Sequence, residues 1–128
     1  MMINFDEMPN DSRIWIYQSN RKFSQSEENE ISIKIQTFLK DWTAHGSNLF
    51  SSYCIRYNRF IVIALNETKN KATGCSIDAS VALIQSLEKD YGIDLAIWIS
   101  MIQFIRKKLK LLCNPMWRGV LPSNTSFK

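Results

Sequence analysis

A chain of 128 residues that is 45% hydrophobic and 22% charged has the composition of a folded globular domain and not of a disordered segment. One core is enough at this length. The net charge of +4 is unevenly spread: Met1 to Ile93 hold 10 Lys and Arg against 11 Asp and Glu, a net of −1, while Asp94 to Lys128 hold 6 against 1, a net of +5, so the body has no positive face and no nucleic-acid partner is expected.

The first residues carry Asp6, Glu7 and Asp11 where a secretory leader needs a basic start and then an apolar run, which predicts a cytoplasmic protein. Arg13 to Tyr17 is short, aromatic and β-branched between polar neighbours, and predicts a strand. Ser24 and Glu27 match a capping box, the serine serving the N3 amide while the glutamate reaches back. Ile31, Ile35, Phe38 and Trp42 then share one helical face, and Gly46 as terminator predicts a helix to about His45. Leu49 to Tyr57 and Arg59 to Leu65 predict two strands joined as a hairpin at Tyr57-Asn58-Arg59, where Asn58 tolerates a left-handed backbone. Phe60 to Leu65 is continuously apolar, as a central strand covered on both faces would be. After a polar loop from Asn66 to Gly74, a second helix is predicted from Ser76 or Ile77, with Ile77, Val81, Ile84, Leu87 and Tyr91 on one face and Gly92 at its end. A last strand falls at Leu95 to Ile99. The order β-α-β-β-α(-β) predicts an α+β fold, a ferredoxin-like two-layer sandwich with both helices on one face of an antiparallel sheet. The apolar run at Phe60 to Leu65 leaves a sheet covered on both faces as the alternative. The domain is expected to occupy residues 1–95.

Cys54, Cys75 and Cys113 are odd in number and lack paired metal-ligand spacing, so free thiols and no metal are expected, two of them packed as small hydrophobes. Gly74-Cys75-Ser76 before a helix is the most chemically suggestive turn, because helix N-terminal amides stabilise a thiolate or bind an anion. Thr73, Gly74, Cys75 and Ser76 are therefore the candidate anion-binding residues, and Cys75, His45 and Asp78 the candidate catalytic ones. The plainer reading makes Ser76 a cap, Asp78 a first-turn acid complementing the dipole, and His45 a cation at a helix C-terminus. Tyr53, Arg56, Tyr57, Asn58 and Arg59 resemble a base-stacking platform in composition, but two arginines in a body of net −1 read better as a solvated hairpin. Trp15, Tyr17, Trp42 and Phe60 read as core.

The stretches RIWIYQS (13–19), WTAHG (42–46), NRFIVIALNE (58–67) and GCSIDAS (74–80), in that order, resemble a family of small Bacteroidetes proteins, many of which carry the label "ABC transporter ATPase". The resemblance covers about residues 3–95 and implies no assigned catalytic residue. The label would require a phosphate-cradling G-x-x-x-x-G-K-[ST] loop, and the Gly74 to Ser80 stretch lacks the second glycine and the lysine. The residues of this stretch therefore do not support ATP binding. Beyond Leu95 the chain departs from the family pattern. The codons of Trp98-Ile99 and Met101-Ile102, read from their third bases, each spell aspartate, and D-L-D-K-Y-D is an available reading of the stretch. Ala96 to Lys128 is thus read as a divergent, basic and out-of-frame tail. The mainly apolar stretch of 11 residues from Leu95 to Ile105 is too short to span a bilayer.

Three functional expectations follow. The first is a non-enzymatic interaction or regulatory module with a protein partner, homodimeric through an open sheet edge. The second is a thiol-based enzyme or redox sensor built on Cys75. The third is nucleotide binding, as the family label implies. No cofactor is expected under the first.

Overall fold

The computed structural model describes residues 1–9 and 11–102, and only the backbone for 97–102. A single 3-10 turn at Phe5–Glu7 precedes β1 (Arg13–Ser19), α1 (Gln25–Lys40), β2 (Thr43–Ala44), β3 (Ser47–Asn48), β4 (Phe50–Arg56), β5 (Phe60–Asn66), α2 (Gly74–Tyr91) and β6 (Leu95–Ile102). The four long strands form one sheet in the order β4-β5-β1-β6, antiparallel at every pairing, and β2 and β3 form a separate two-stranded ribbon. The protein is thus α+β, with an antiparallel sheet and two helices.

Alternation along the strands sends side chains to two faces. Trp15, Tyr17, Ile55, Ile61, Ile63 and Leu65 meet Ile31, Ile35 and Leu39 of α1 and Ile84 and Leu87 of α2 in the main core. Ile14, Ile16, Cys54, Phe60, Val62 and Ala64 form a second buried cluster, with Phe5, Met8 and Tyr57 packed against it. The unbroken apolar run of β5 is explained by this. Its position between β4 and β1 buries every residue from Phe60 to Leu65 to 1% exposure or less.

The capping box at Ser24 and Glu27 forms as the sequence predicts. Arg21 reinforces it, donating two bonds of 2.8 Å to the two carboxylate oxygens of Glu27 and one of 2.8 Å to the Tyr91 carbonyl at the end of α2. That bidentate pair, with help from the Ser24 amide, holds the Glu27 carboxyl down to about 2.

Several expectations need correction. Helix α1 stops at Lys40, five residues short of His45, because Thr43-Ala44 and Ser47-Asn48 pair across a two-residue turn in which His45 and Gly46 both have positive φ. Such turns require left-handed backbone at both central residues, so Gly46 completes a hairpin and does not terminate a helix. His45 accordingly is not at a helix C-terminus. Leu39 and not Trp42 ends the buried stripe of α1, while Phe38 is half-buried. Helix α2 begins at Gly74, with Thr73 as N-cap and Ser76 at N3, so Ser76 is the partner in a capping box and not the cap. The earlier start leaves Asp78 outside the first turn, which contains no acid. Val81 is 40% exposed and lies outside the buried stripe of Ser76, Ser80, Ile84 and Leu87. In the β4–β5 hairpin Tyr57 as well as Asn58 adopts positive φ. Strand β6 runs to Ile102, past the expected end at Ile99, and pairs with β1 from Ser19↔Leu95 to Arg13↔Ile102. Cys113 and the basic part of the tail lie outside the described residues.

Candidate functional site

The chain just after α1 and the loop before α2 are brought together by one buried indole. Trp42 packs edge-on against Trp15, with ring centroids 6.2 Å apart, and tilts against Phe38 at 5.4 Å. Its Nε1 donates a buried 2.9 Å bond to the Ser76 carbonyl in the first turn of α2. An indole N–H shut away from water needs such an acceptor, so Trp42 fixes the β2–β3 ribbon relative to α2. The loop before α2 is tied down independently, by Asn70 Nδ2 donating to the Asn48 carbonyl at 2.8 Å and the Ala72 amide donating to Glu67 Oε2 at 3.0 Å.

Between these pieces lies a cavity of about 540 Å³. Thr37, Phe38, Asp41 and Trp42 form one wall, Thr43 and His45 a second, and Thr73, Cys75, Ser76 and Ala79 of α2 a third. The volume is in the range of small-ligand sites. His45 and Cys75, thirty residues apart in sequence, thus line the same space. Both are exposed, so solvent and solutes reach the imidazole and the thiol.

Local chemistry at the third wall is set by a neutral capping box. Thr73 Oγ1 accepts from the Ser76 amide at 3.2 Å, and Ser76 Oγ accepts from the Thr73 amide at 2.7 Å while donating to the Thr73 carbonyl at 2.9 Å. The Ser76 hydroxyl both accepts and donates in this reciprocal cap, while that of Thr73 accepts. Among the described residues no acceptor meets the amides of Gly74 or Cys75, the two remaining orphan donors of the first turn. The N-terminal end of the α2 dipole therefore lies beside a space lined by a thiol, an imidazole and the Asp41 side chain, and the dipole favours negative charge at that end.

Of the residues singled out from the sequence, His45, Thr73, Cys75 and Ser76 line the cavity, and Asp78 does not. Gly74 is at its edge by position in α2 but is not among the lining residues. Trp42, expected in the core, is there at 3% exposure and also lends a surface to this cavity, while Phe38 and Asp41 are lining residues that the sequence did not mark as part of a site. The signal that was available is the His-Gly pair between short polar stretches, which is a two-residue hairpin pattern. Cys54 is buried and Cys75 exposed, so of the described thiols only one is presented to reagents. Among the described residues there is no group of three or more His, Cys, Asp or Glu side chains that could hold a metal ion, and no helix long and apolar enough to cross a membrane. No family model, curated protein or solved structure matches the chain.

Proposed function

We propose that this protein is a small regulatory module whose input site is the cavity between the His45 turn and the start of α2, where it takes a small anionic ligand and presents Cys75 as a reactive thiol. The observation that carries this reading is the shared cavity: one space of about 540 Å³ is lined by His45, Cys75, Thr73 and Ser76. It joins the first expectation to the second, with the thiol as the sensing element and the surrounding domain as the interaction body. The scaffold we assign is the ferredoxin-like sandwich, supported by the sheet order β4-β5-β1-β6 and by both helices packing into one core. The nucleotide reading has less behind it, since the stretch from Gly74 to Ser80 holds neither the second Gly nor the Lys that a phosphate-cradling loop carries after its first Gly.

The test is alkylation of Cys75 by iodoacetamide, followed by peptide mapping, with and without inorganic phosphate. Saturating phosphate should slow the reaction at Cys75 several-fold and perturb the fluorescence of Trp42. Phosphate that alters neither the rate nor the emission at tens of millimolar would overturn the reading.

A further inference from the structure

The edge of the sheet at β4 is half occupied by the protein's own N-terminal segment. The Ser51 amide donates to the Met1 carbonyl at 3.0 Å, and the Ile3 amide donates to the Ser51 carbonyl at 2.8 Å, so Met2 bridges Ser51 in parallel. The Met1 ammonium anchors this segment on the Leu39 and Leu49 carbonyls at 3.1 and 2.9 Å. The chain then leaves the edge at Asn4, whose side chain caps the 3-10 turn.

Since Ser51 directs its own backbone groups outward, the two-residue alternation of an antiparallel ladder directs those of Tyr53 and Ile55 outward as well, while Ser52, Cys54 and Arg56 bond to β5. Among the described residues no backbone group outside β5 meets Tyr53 or Ile55. Among the described residues the Ile55 carbonyl accepts a side-chain bond from the adjacent guanidinium, Arg56 Nη1 at 3.1 Å. Beside this stretch, roughly 10 Å of edge by strand rise, lies a second cavity of about 500 Å³, walled by Asn4 and Asp6 on one side and by Glu28, Ser32 and Gln36 of α1 on the other. Its charged lining residues are Asp6, Glu28 and Arg56, a net of one negative charge.

We propose that this half-edge docks an extended segment of a partner protein, which adds as a strand on the outward backbone groups of Tyr53 and Ile55, continuing the row begun by Met1 to Ile3, and carries a basic side chain between Asp6 and Glu28. Main-chain bonding supplies the affinity and the acidic walls the selectivity. An incoming amide displaces Arg56 from the Ile55 carbonyl. The surface is separate from the His45–Cys75 cavity and stands whether or not that site binds anions.

The probe is a capped synthetic hexapeptide of alternating valine and lysine, titrated by fluorescence anisotropy, with two isomers N-methylated on the valine or on the lysine amides. One isomer should bind at least tenfold more weakly than the parent and the other within about threefold, because only one edge of the peptide faces β4. Parent peptide should slow amide exchange several-fold at Tyr53 and Ile55, and Glu28→Lys should weaken binding about tenfold with the circular dichroism spectrum unchanged. Equal binding by both isomers, or no slowing at those two amides, would overturn the proposal. Dimerisation without peptide that protects the same amides would assign the edge to a second copy and overturn it equally.

Discussion

The two helices begin with the same device made from different materials. At α1 the capping box is Ser24 and Glu27, with a second acid, Glu28, in the first turn and Arg21 clamped over the pair. At α2 it is Thr73 and Ser76, with no acid in the first turn and a cavity alongside. A helix N-terminus attracts negative charge. Helix α1 satisfies that demand with its own carboxylates and ties the result to the Tyr91 carbonyl, which makes its start a joint between β1, α1 and α2. Helix α2 uses neutral hydroxyls, so its field is directed at whatever enters the cavity. The contrast separates a start built for stability from one left open to solutes.

The largest effect should come from removing what holds the open start in place. Trp42→Ala should destabilise the domain by about 3–5 kcal/mol, the usual cost of truncating a buried aromatic, measured by urea unfolding. Trp42→Phe keeps most of the packing but strands the Ser76 carbonyl, and should cost about 1–2 kcal/mol. If Trp42→Ala cost less than the phenylalanine variant, the indole would not be the link between the ribbon and α2.

Arg21→Ala should come next, at about 1–2 kcal/mol, because the pair is bidentate but partly exposed to solvent. Its signature is in the pH dependence. The Glu27 carboxyl is depressed to about 2 by Arg21, below the roughly 4.3 of an unfolded glutamate. Its contribution is therefore complete above pH ~4.3 and lost as pH falls from there towards 2. Wild type should lose stability across that window, and Arg21→Ala should lose distinctly less. Parallel profiles would remove Arg21 as the cause. Thr73→Ala is the smallest of these, at about 1 kcal/mol for a lost cap, and should leave the acid limb of the profile unchanged.

The charged start was legible in the sequence and the open one only in part: Thr73, Cys75, Ser76 and His45 stood out, but not the ribbon that brings His45 to the others. Ser24 and Glu27 carry a spacing with one mechanical meaning, and the four strands announced themselves by β-branched and aromatic runs. Only strand ends moved. Trp42 is core as its aromatic character implies, but not on α1: an aromatic four residues after Phe38 satisfies helical periodicity, while its bond to a carbonyl thirty-four residues away is invisible in the sequence. Ser76 misled for a related reason: serine is equally at home at N-cap and N3, and Thr73 was the better cap only because Ser76 could answer it. The cavity itself arises from the short β2–β3 ribbon, two residues per strand, which falls below what hydrophobic periodicity can register.

Charge discrimination at Cys75 is the most direct measure of whether the start of α2 receives anions. Gly74 takes a side chain without steric conflict, since a Cβ there meets nothing within 4 Å and its φ is not positive. Gly74→Glu therefore supplies α2 with the first-turn acid it lacks, with Ser86→Glu as a control of equal charge farther along the same helix. The measurement is the ratio of iodoacetate to iodoacetamide reactivity at Cys75, referred to the same ratio for an unstructured cysteine peptide. Wild type and Ser86→Glu should favour iodoacetate several-fold over the peptide, and Gly74→Glu should bring the ratio down to the peptide's value or below. A wild-type ratio equal to the peptide's, unchanged by Gly74→Glu, would contradict the account.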